Sequence, residues 1–508
     1  MSANLTSLAT FAYKPRIFIL TDVLNEPDDS QSLVRYLLYA NEFDTRGICA
    51  TTSTWLRSST HPEELQRIIT AYGKVVERLN SHVHPDFQYQ PADHFLALVT
   101  SGPSVYGKKA FKEPLSEGAQ RLLDALKESE EPLYVPVWGG VNTLAQALKH
   151  LSETASAEEA AKQRAKLRVY TISDQDDAGA WIRGKFPGVF FIVSAHGWNE
   201  YLQASWLGMN VGAGNGPDHT KVLNPWLTEH IRIGDFGAEA YPLVKFGMEG
   251  DTPSFLWLIQ NGLSHLDHIN WGGWGGRYTR PQGEADWEDG IDQNHFYNVN
   301  EHGVTGTDGK QYSDHRASIW RWRDAVQDDF AARMQWTLTS NFADATHPPL
   351  VDVNGHKGVE PLILKVNPHE THVLDASATY NPDSPDGGDA NLDYVWMLYG
   401  DVNGFNGMGT GPKVDIEALD EPSSDSKLGD NAAGFASYTR GRKIKVTVAR
   451  RERNPQTGLD TPDFHVLLQV TNTAGPYPIR RYKRVIFSYI DGLPVPMGKI
   501  PDGFPEFS

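Results

Sequence analysis

Four carboxylates fall within eight consecutive positions, Asp22, Glu26, Asp28 and Asp29, directly behind the apolar run Ile17–Leu20. So much negative charge repels itself unless something positive neutralises it. A hard cation, which takes roughly six to eight oxygen ligands, would do so. The alternative is a solvated acidic turn at the surface. A second stretch with chemical content is Trp271-Gly-Gly-Trp274-Gly-Gly-Arg277-Tyr278. Its two indoles offer apolar faces and Arg277 a fork of donors, which suits a loop lying against a sugar ring or an aromatic ligand. The competing reading is a tight glycine-rich loop whose Trp271 and Trp274 wedge between domains.

The elements that must position these residues alternate. From residue 16 to about 340, short β-branched or aromatic runs (Ile17–Leu20, Thr45–Thr52, Leu133–Trp138, Leu167–Ile172, Phe190–Val193) alternate with helical stretches. The helices are expected over Ser30–Ala40, Pro62–Leu79, Ser116–Lys127, Asn142–Leu151 and Ala157–Ala165. This pattern predicts an α/β fold, a mostly parallel open sheet with helices on both faces. Ligands of such sheets bind beyond the carboxyl ends of the strands, which is where Asp22 to Asp29 fall.

Around His347-Pro348-Pro349 the character changes to short strands between turn clusters, among them Leu362–Val366, Tyr394–Leu398, Ile444–Val448, Phe464–Val470 and Arg481–Phe487. Two domains are therefore expected, 1–345 and 346–508. The stretch Val373-Leu-Asp-Ala-Ser-Ala-Thr-Tyr-Asn-Pro-Asp383 followed by Leu392-Asp-Tyr-Val-Trp396 resembles polycystic-kidney-disease-type immunoglobulin-like sandwiches. That resemblance implies that Trp396 is a core residue. Asp420–Gly434 reads as a mobile loop inside this module.

The chain of 508 residues carries 46 Lys and Arg against 64 Asp and Glu, a formal charge of −18. This argues against nucleic acid and anionic membrane as partners and leaves a neutral or cationic small molecule, a carbohydrate or a metal ion. One cysteine, Cys49, excludes an intramolecular disulfide and a cysteine-rich metal site. No basic segment followed by an apolar one opens the chain, and no apolar run is long enough to span a membrane. A soluble, cytoplasmic protein is expected, although a secreted form without its signal would read the same. Nothing marks an oligomer interface.

The strand ending in Asp22, with Asp28-Asp29 opening a helix, resembles the N-terminal signature of the inosine-uridine nucleoside hydrolases. In that family such acids bind a calcium ion that grips ribose hydroxyls and activates water. Two further stretches carry the resemblance. Trp138-Gly-Gly-Val-Asn142-Thr-Leu-Ala145 is similar to the turn where a backbone carbonyl reaches the metal, and Met248-Glu-Gly-Asp251 to the late motif whose Asp completes the metal shell. The resemblance implies Asp22, Asp29, Asp251 and the Asn142 carbonyl as calcium ligands. Asp28 or Asp22 would take the proton of the attacking water. Asp28 also reads as a further ligand or a substrate-hydroxyl acceptor, and Glu26 as a substrate contact or an exposed loop acid. Ordinary structural roles also exist: Asn142 and Asp251 both stand where a helix start needs a cap.

The chain departs from those hydrolases where they place a His before the late Asp; here that residue is Gly250. Protonating a leaving group needs an acid within hydrogen-bond reach, and the replacements are Glu249, His196 and Asp176. A broader resemblance runs through Gln31–Glu42, Ser116–Ala119, Trp138-Gly-Gly, Ile172-Ser-Asp-Gln-Asp176-Asp177, Glu249–Phe255 and Trp271–Tyr278. These blocks together look like cellulose-binding proteins with a nucleoside-hydrolase-like domain, and Trp138, Asp176, Trp271, Trp274 and Arg277 become candidate substrate contacts. Three functions are consistent with this pattern: a calcium-dependent, hydrolase-like enzyme at a glycosidic or polyhydroxylated centre, a carbohydrate binder without turnover, or a biosynthetic enzyme using the metal pocket for dehydration or cyclisation.

Overall fold

Every side chain of Arg16–Thr21 (β1) is buried, so this strand lies at the centre of a sheet covered on both faces. Phe18 and Leu20 point into a core with Leu122, Leu144 and Leu148, while Ile17 and Ile19 alternate to the opposite face. The computed structural model describes residues 5–195, 198–280, 294–402, 414–420, 433–453, 461–490, 492 and 495. Two units are distinguishable: Met1–Gln260 with Ser264–Asn300 and Asp314–Ala345, and Asn261–Leu263 with Glu301–Ser313 and Thr346–Ser508.

In the first unit β1 is joined by β2 (Asp44–Ala50), β3 (Val99–Ser101), β4 (Leu133–Val137), β5 (Leu167–Thr171), β6 (Phe190–Val193), β7 (Tyr278–Thr279) and β8 (His295–Asn298). Their order is β3-β2-β1-β4-β5-β6-β8-β7, and only the edge pair β7 and β8 runs antiparallel. The chain leaves β1 first toward β2 and β3, then returns to its other side with β4. The resulting switch point, between β1 and β4, opens a crevice at the carboxyl ends of the strands. β3 escapes a periodicity reading because three residues carry too little pattern, and β7 has only two.

The helix expected over Pro62–Leu79 is two helices, Pro62–Tyr72 and Val76–Asn80. Gly73 ends the first, its N–H bonded to the Ile69 carbonyl at 3.1 Å. Its missing side chain also admits Ala92, whose methyl would lie 2.9 Å from a Cβ at this position. Among the described residues no helix is long and apolar enough to cross a membrane.

The second unit stacks two sheets. One contains Leu362–Val366, Ile479–Tyr489, Phe464–Asn472, Leu392–Leu398 and Tyr438–Arg440 in spatial order; the other contains Thr371–Asp375, Lys443–Thr447 and Asp415–Ala418. Leu374, Ile444, Val446, Trp396, Leu468 and Phe487 share the core of this all-β sandwich. Trp396 is fully buried, with its indole N–H on the Gly441 carbonyl at 3.0 Å. Trp396→Ala is expected to cost about 3–5 kcal/mol, measured as a lower denaturation midpoint of this unit. Of the loop expected at Asp420–Gly434, residues 421–432 lie outside the described residues.

Candidate metal centre

Asp28 and Asp29 form the first turn of α1 (Asp28–Tyr39), immediately past the end of β1. Asp251 comes from a distant turn ahead of the short helix Pro253–Leu256. One carboxylate oxygen from each of these three residues lies within 4.8 Å of the others. Asp29 and Asp251 are 3% and 1% exposed, and Oδ2 of Asp251 is buried without a hydrogen-bond partner. The capping role open to Asp251 is not taken: its backbone carbonyl, not its carboxylate, accepts from Ser254 N and Oγ at 3.0 and 2.6 Å. An unpartnered buried carboxylate beside two others is a donor set that fits a hard cation.

Of the acids the resemblance implies, Asp29 and Asp251 meet here with Asp28, which was open to a ligand role, while Asp22 stands outside this closest trio. Ser53 stands beside Asp22 and holds its carboxyl lower than burial alone would, and Gly139 of the turn after β4 packs on Asp22, so that a Cβ at 139 would meet its Oδ1 at 2.7 Å. Asp28 takes the third place because the first turn of α1 presents it beside Asp29. Thr21, the last residue of β1, donates its hydroxyl to Asp29 Oδ1. Glu26 is half-buried near Asp22 and Asp28, and its charge acts on both.

Burial pushes Asp22 up to about 6 and Asp28 up to about 7, the latter aided by the charges of Glu26 and Asp22. Asp29 and Asp251 are held well above the usual carboxylate range, first by burial and then by the neighbouring acids. These groups hold protons more tightly folded than unfolded. Their contribution to metal-free stability is therefore fully present below about pH 4 and is lost as pH rises through 6 to 7 and beyond. A cation needs the ionised forms. The rise in melting temperature caused by saturating calcium is expected to be near zero at about pH 5 and to grow steadily to about pH 8. Thermal melts across that range, with and without calcium, measure it.

The remaining turns close around the cluster. Trp138 N–H bonds the Leu20 carbonyl at 2.8 Å and Gly140 N–H the Thr52 carbonyl at 2.9 Å, tying the ends of β1, β2 and β4 together. Gly140 abuts Asp176, whose Oδ2 would lie 2.5 Å from a Cβ there. Asp176 accepts from Ala178 N–H at 2.8 Å through Oδ1, its Oδ2 is buried without a partner, and burial pushes it up to about 7. Asn142 opens the helix Asn142–Thr154 and is fully buried. Its amide donates to Thr52 Oγ1 and to the carbonyls of Pro103 and Val105 at 2.9–3.2 Å, which fixes the turn that carries its own carbonyl.

Several expected contacts are corrected. Trp138 is fully buried and spends its indole N–H on Ser254 Oγ at 2.9 Å, so it is core and not substrate lining. Trp274 is fully buried as well. Trp271, half-buried and stacked on His268 at 4.0 Å, keeps its place as a candidate contact, whereas Arg277 is buried and donates to the Asn300 carbonyl at 2.6 Å. Their glycine-rich loop supports the Asp251 segment from below: a Cβ at Gly275 would meet the Pro253 carbonyl at 2.6 Å, and Tyr170 holds the Gly275 carbonyl at 2.6 Å. Glu249 is not a free acid but the buried partner of Arg35, with added bonds from Tyr241 (2.7 Å) and Thr252 (2.9 Å). His196 lies outside the described residues.

Sequence reasoning missed the aromatic residues beside the acids. Trp55 follows β2, while Tyr201 and Trp206 follow β6. The Trp206 ring lies over Gly250, where a Cβ would meet Cε3 at 2.9 Å and Asp28 Oδ2 at 3.1 Å. Tyr201 is raised above its ordinary range mainly by burial, and Asp22, Asp251 and Asp28 add to the shift. The available signal was position: loops at the carboxyl ends of parallel strands, rich in aromatic residues.

A sequence profile described as cellulose-binding Sde182, nucleoside hydrolase-like domain, matches residues 16–278. Among solved structures, a nucleoside hydrolase-related hypothetical protein from Saccharophagus degradans, associated with carbohydrate metabolism, is similar at 27% identity and a TM-score of 0.69. The match covers 94% of this chain and 100% of that one. The inosine-uridine preferring nucleoside hydrolase from Bacillus anthracis aligns at 14% identity over 64% of this chain and all of its own, with a TM-score of 0.32. No curated protein matches.

Proposed function

Because the chain belongs to the cellulose-binding Sde182 family through its nucleoside hydrolase-like domain, we propose that it is a calcium-dependent, hydrolase-like protein acting on the glycosidic bond of a polyhydroxylated carbohydrate. The observation that carries this reading is the meeting of Asp28, Asp29 and Asp251, with a buried oxygen of Asp251 left unpartnered. Asp28, Asp29 and Asp251 would hold the ion, with Asp22 and the Asn142 carbonyl as the additional donors the family resemblance supplies. Bound calcium supplies a positive pole for sugar hydroxyls and lowers the pKa of water. Asp22, beside Ser53 and outside the closest trio, would be the carboxylate to accept a proton from an attacking water. Glu26, half-buried beside Asp28, accepts from a sugar hydroxyl. Asp176, pushed up to about 7 by burial, is the side chain suited to return a proton to a leaving oxygen at neutral pH.

One observation favours a second reading, binding without turnover. The Trp206 ring occupies the space over Gly250, where the hydrolases carry their His, and a side chain there would collide with it. Assaying aryl glycosides and cellulose-derived oligosaccharides for reducing-sugar release separates the two. Turnover that stops on chelation and in Asp22→Asn supports the enzyme. Retention on insoluble cellulose with no product supports the binder, and product release indifferent to chelation contradicts both.

A further inference from the structure

Three aromatic rings lead outward from the carboxylates. Trp206 is innermost, its ring over Gly250 and against the Asp28 side of the cluster. Tyr201 comes next, its ring 6.2 Å from that of Trp206 and its hydroxyl within the field of Asp22, Asp251 and Asp28. Trp55 is outermost, edge-on to Tyr201 at 5.9 Å and 72°. Trp55 is 47% exposed, unusual for the largest apolar side chain. Its loop is nonetheless anchored: Ser53 Oγ accepts from the N–H groups of Trp55 and Leu56 at 3.0 and 3.1 Å, and Thr54 N–H bonds the Gln175 carbonyl at 2.6 Å. An exposed indole held in a fixed orientation on the outer side of a carboxylate cluster is built to receive a flat apolar face.

We propose that Trp55 and Tyr201 form a platform for a second sugar ring, so that the site takes the end of a neutral oligosaccharide chain and not an isolated small molecule. The inference rests on the carbohydrate reading of the metal centre. A sugar chain meets both chemical demands at once. Its terminal ring offers hydroxyls to the carboxylate cluster, and its next ring offers a face of C–H groups to the indole. An anionic ligand is disfavoured by Asp22, Glu26, Asp28, Asp29 and Asp251 together. The platform also gives Trp206 a role, as the wall that passes the chain from the acids to Trp55.

Calorimetric titration of the full chain, calcium-loaded, with glucose, cellobiose, cellotetraose and inosine tests this. Affinity is expected to rise about tenfold or more from glucose to cellobiose, equivalent to about 1.4 kcal/mol. Trp55→Ala removes that gain and leaves glucose affinity and calcium content unchanged, while Trp55→Phe keeps most of it. Affinity independent of chain length, an equal loss for glucose in Trp55→Ala, or a Trp55-dependent preference for inosine overturns the platform. So does a protein that binds calcium but none of the four probes, an outcome that leaves the metal centre standing. Chain-length-dependent binding that needs Trp55 but ignores calcium removal supports the platform and overturns the metal reading.

Discussion

Asp251→Asn is expected to lower calcium affinity by about a hundredfold, close to 2.7 kcal/mol, and at the same time to make the metal-free protein more stable at about pH 8. The two effects have one cause. Asp251 is held well above its ordinary range by burial and by Asp29, Asp28 and Asp22, so its ionised form opposes folding until a cation arrives. Asparagine keeps the shape and removes the charge. It relieves the repulsion within the cluster and deletes a ligand. Titration calorimetry and thermal melts at that pH check both signs, and a variant less stable than the native chain in the absence of calcium would show that Asp251 has a structural partner instead.

Arg35→Met is expected to destabilise the first unit by about 3–5 kcal/mol, because it leaves Glu249 charged and buried without its cation. Both side chains are 0% exposed. Arg35 also bonds the Val326 carbonyl at 3.0 Å and lies over the Phe330 ring at 3.8 Å. Glu249 sits at φ 48°, a left-handed conformation that the surrounding bonds must enforce. Its N–H bonds Gln31 Oε1 at 3.1 Å, and Thr252 Oγ1 bonds Ser32 Oγ at 2.9 Å. α1 thus supplies Asp28 and Asp29 at its start and, over the next two turns, grips the segment that presents Asp251. Glu249→Gln, which retains hydrogen-bonding atoms for Tyr241 and Thr252, is expected to lose less stability than Arg35→Met. Chemical denaturation of the two variants compares them, and equal losses would mean that the charge is immaterial.

The acids at 22–29 were legible because charge clustering behind a buried strand has few stable explanations. Alternating strands and helices then placed them at the carboxyl edge of a parallel sheet. Asp251 was legible only through resemblance, since nothing local separates a ligand from a helix cap. The glycine-rich loop misled for a physical reason: paired glycines permit close approach to a ligand and to neighbouring backbone alike, and here Gly275 meets the Pro253 carbonyl. Glu249 was misread because its partner, Arg35, is far away in sequence and buried charge pairs leave no local pattern. Leu24, at φ 73° in the acidic loop, marks another strained position beside the site that composition does not reveal. The aromatic wall went unread because Trp55, Tyr201 and Trp206 come from two separate loops that only the sheet brings together.

The most direct measurement is elemental analysis of the purified full chain after equilibration with calcium at about pH 8, beside an Asp22→Ala/Asp29→Ala double variant. About one tightly held calcium per native chain, and none in the variant, is the predicted result. A native chain without calcium, or a variant that retains as much, would contradict a metal-centred site.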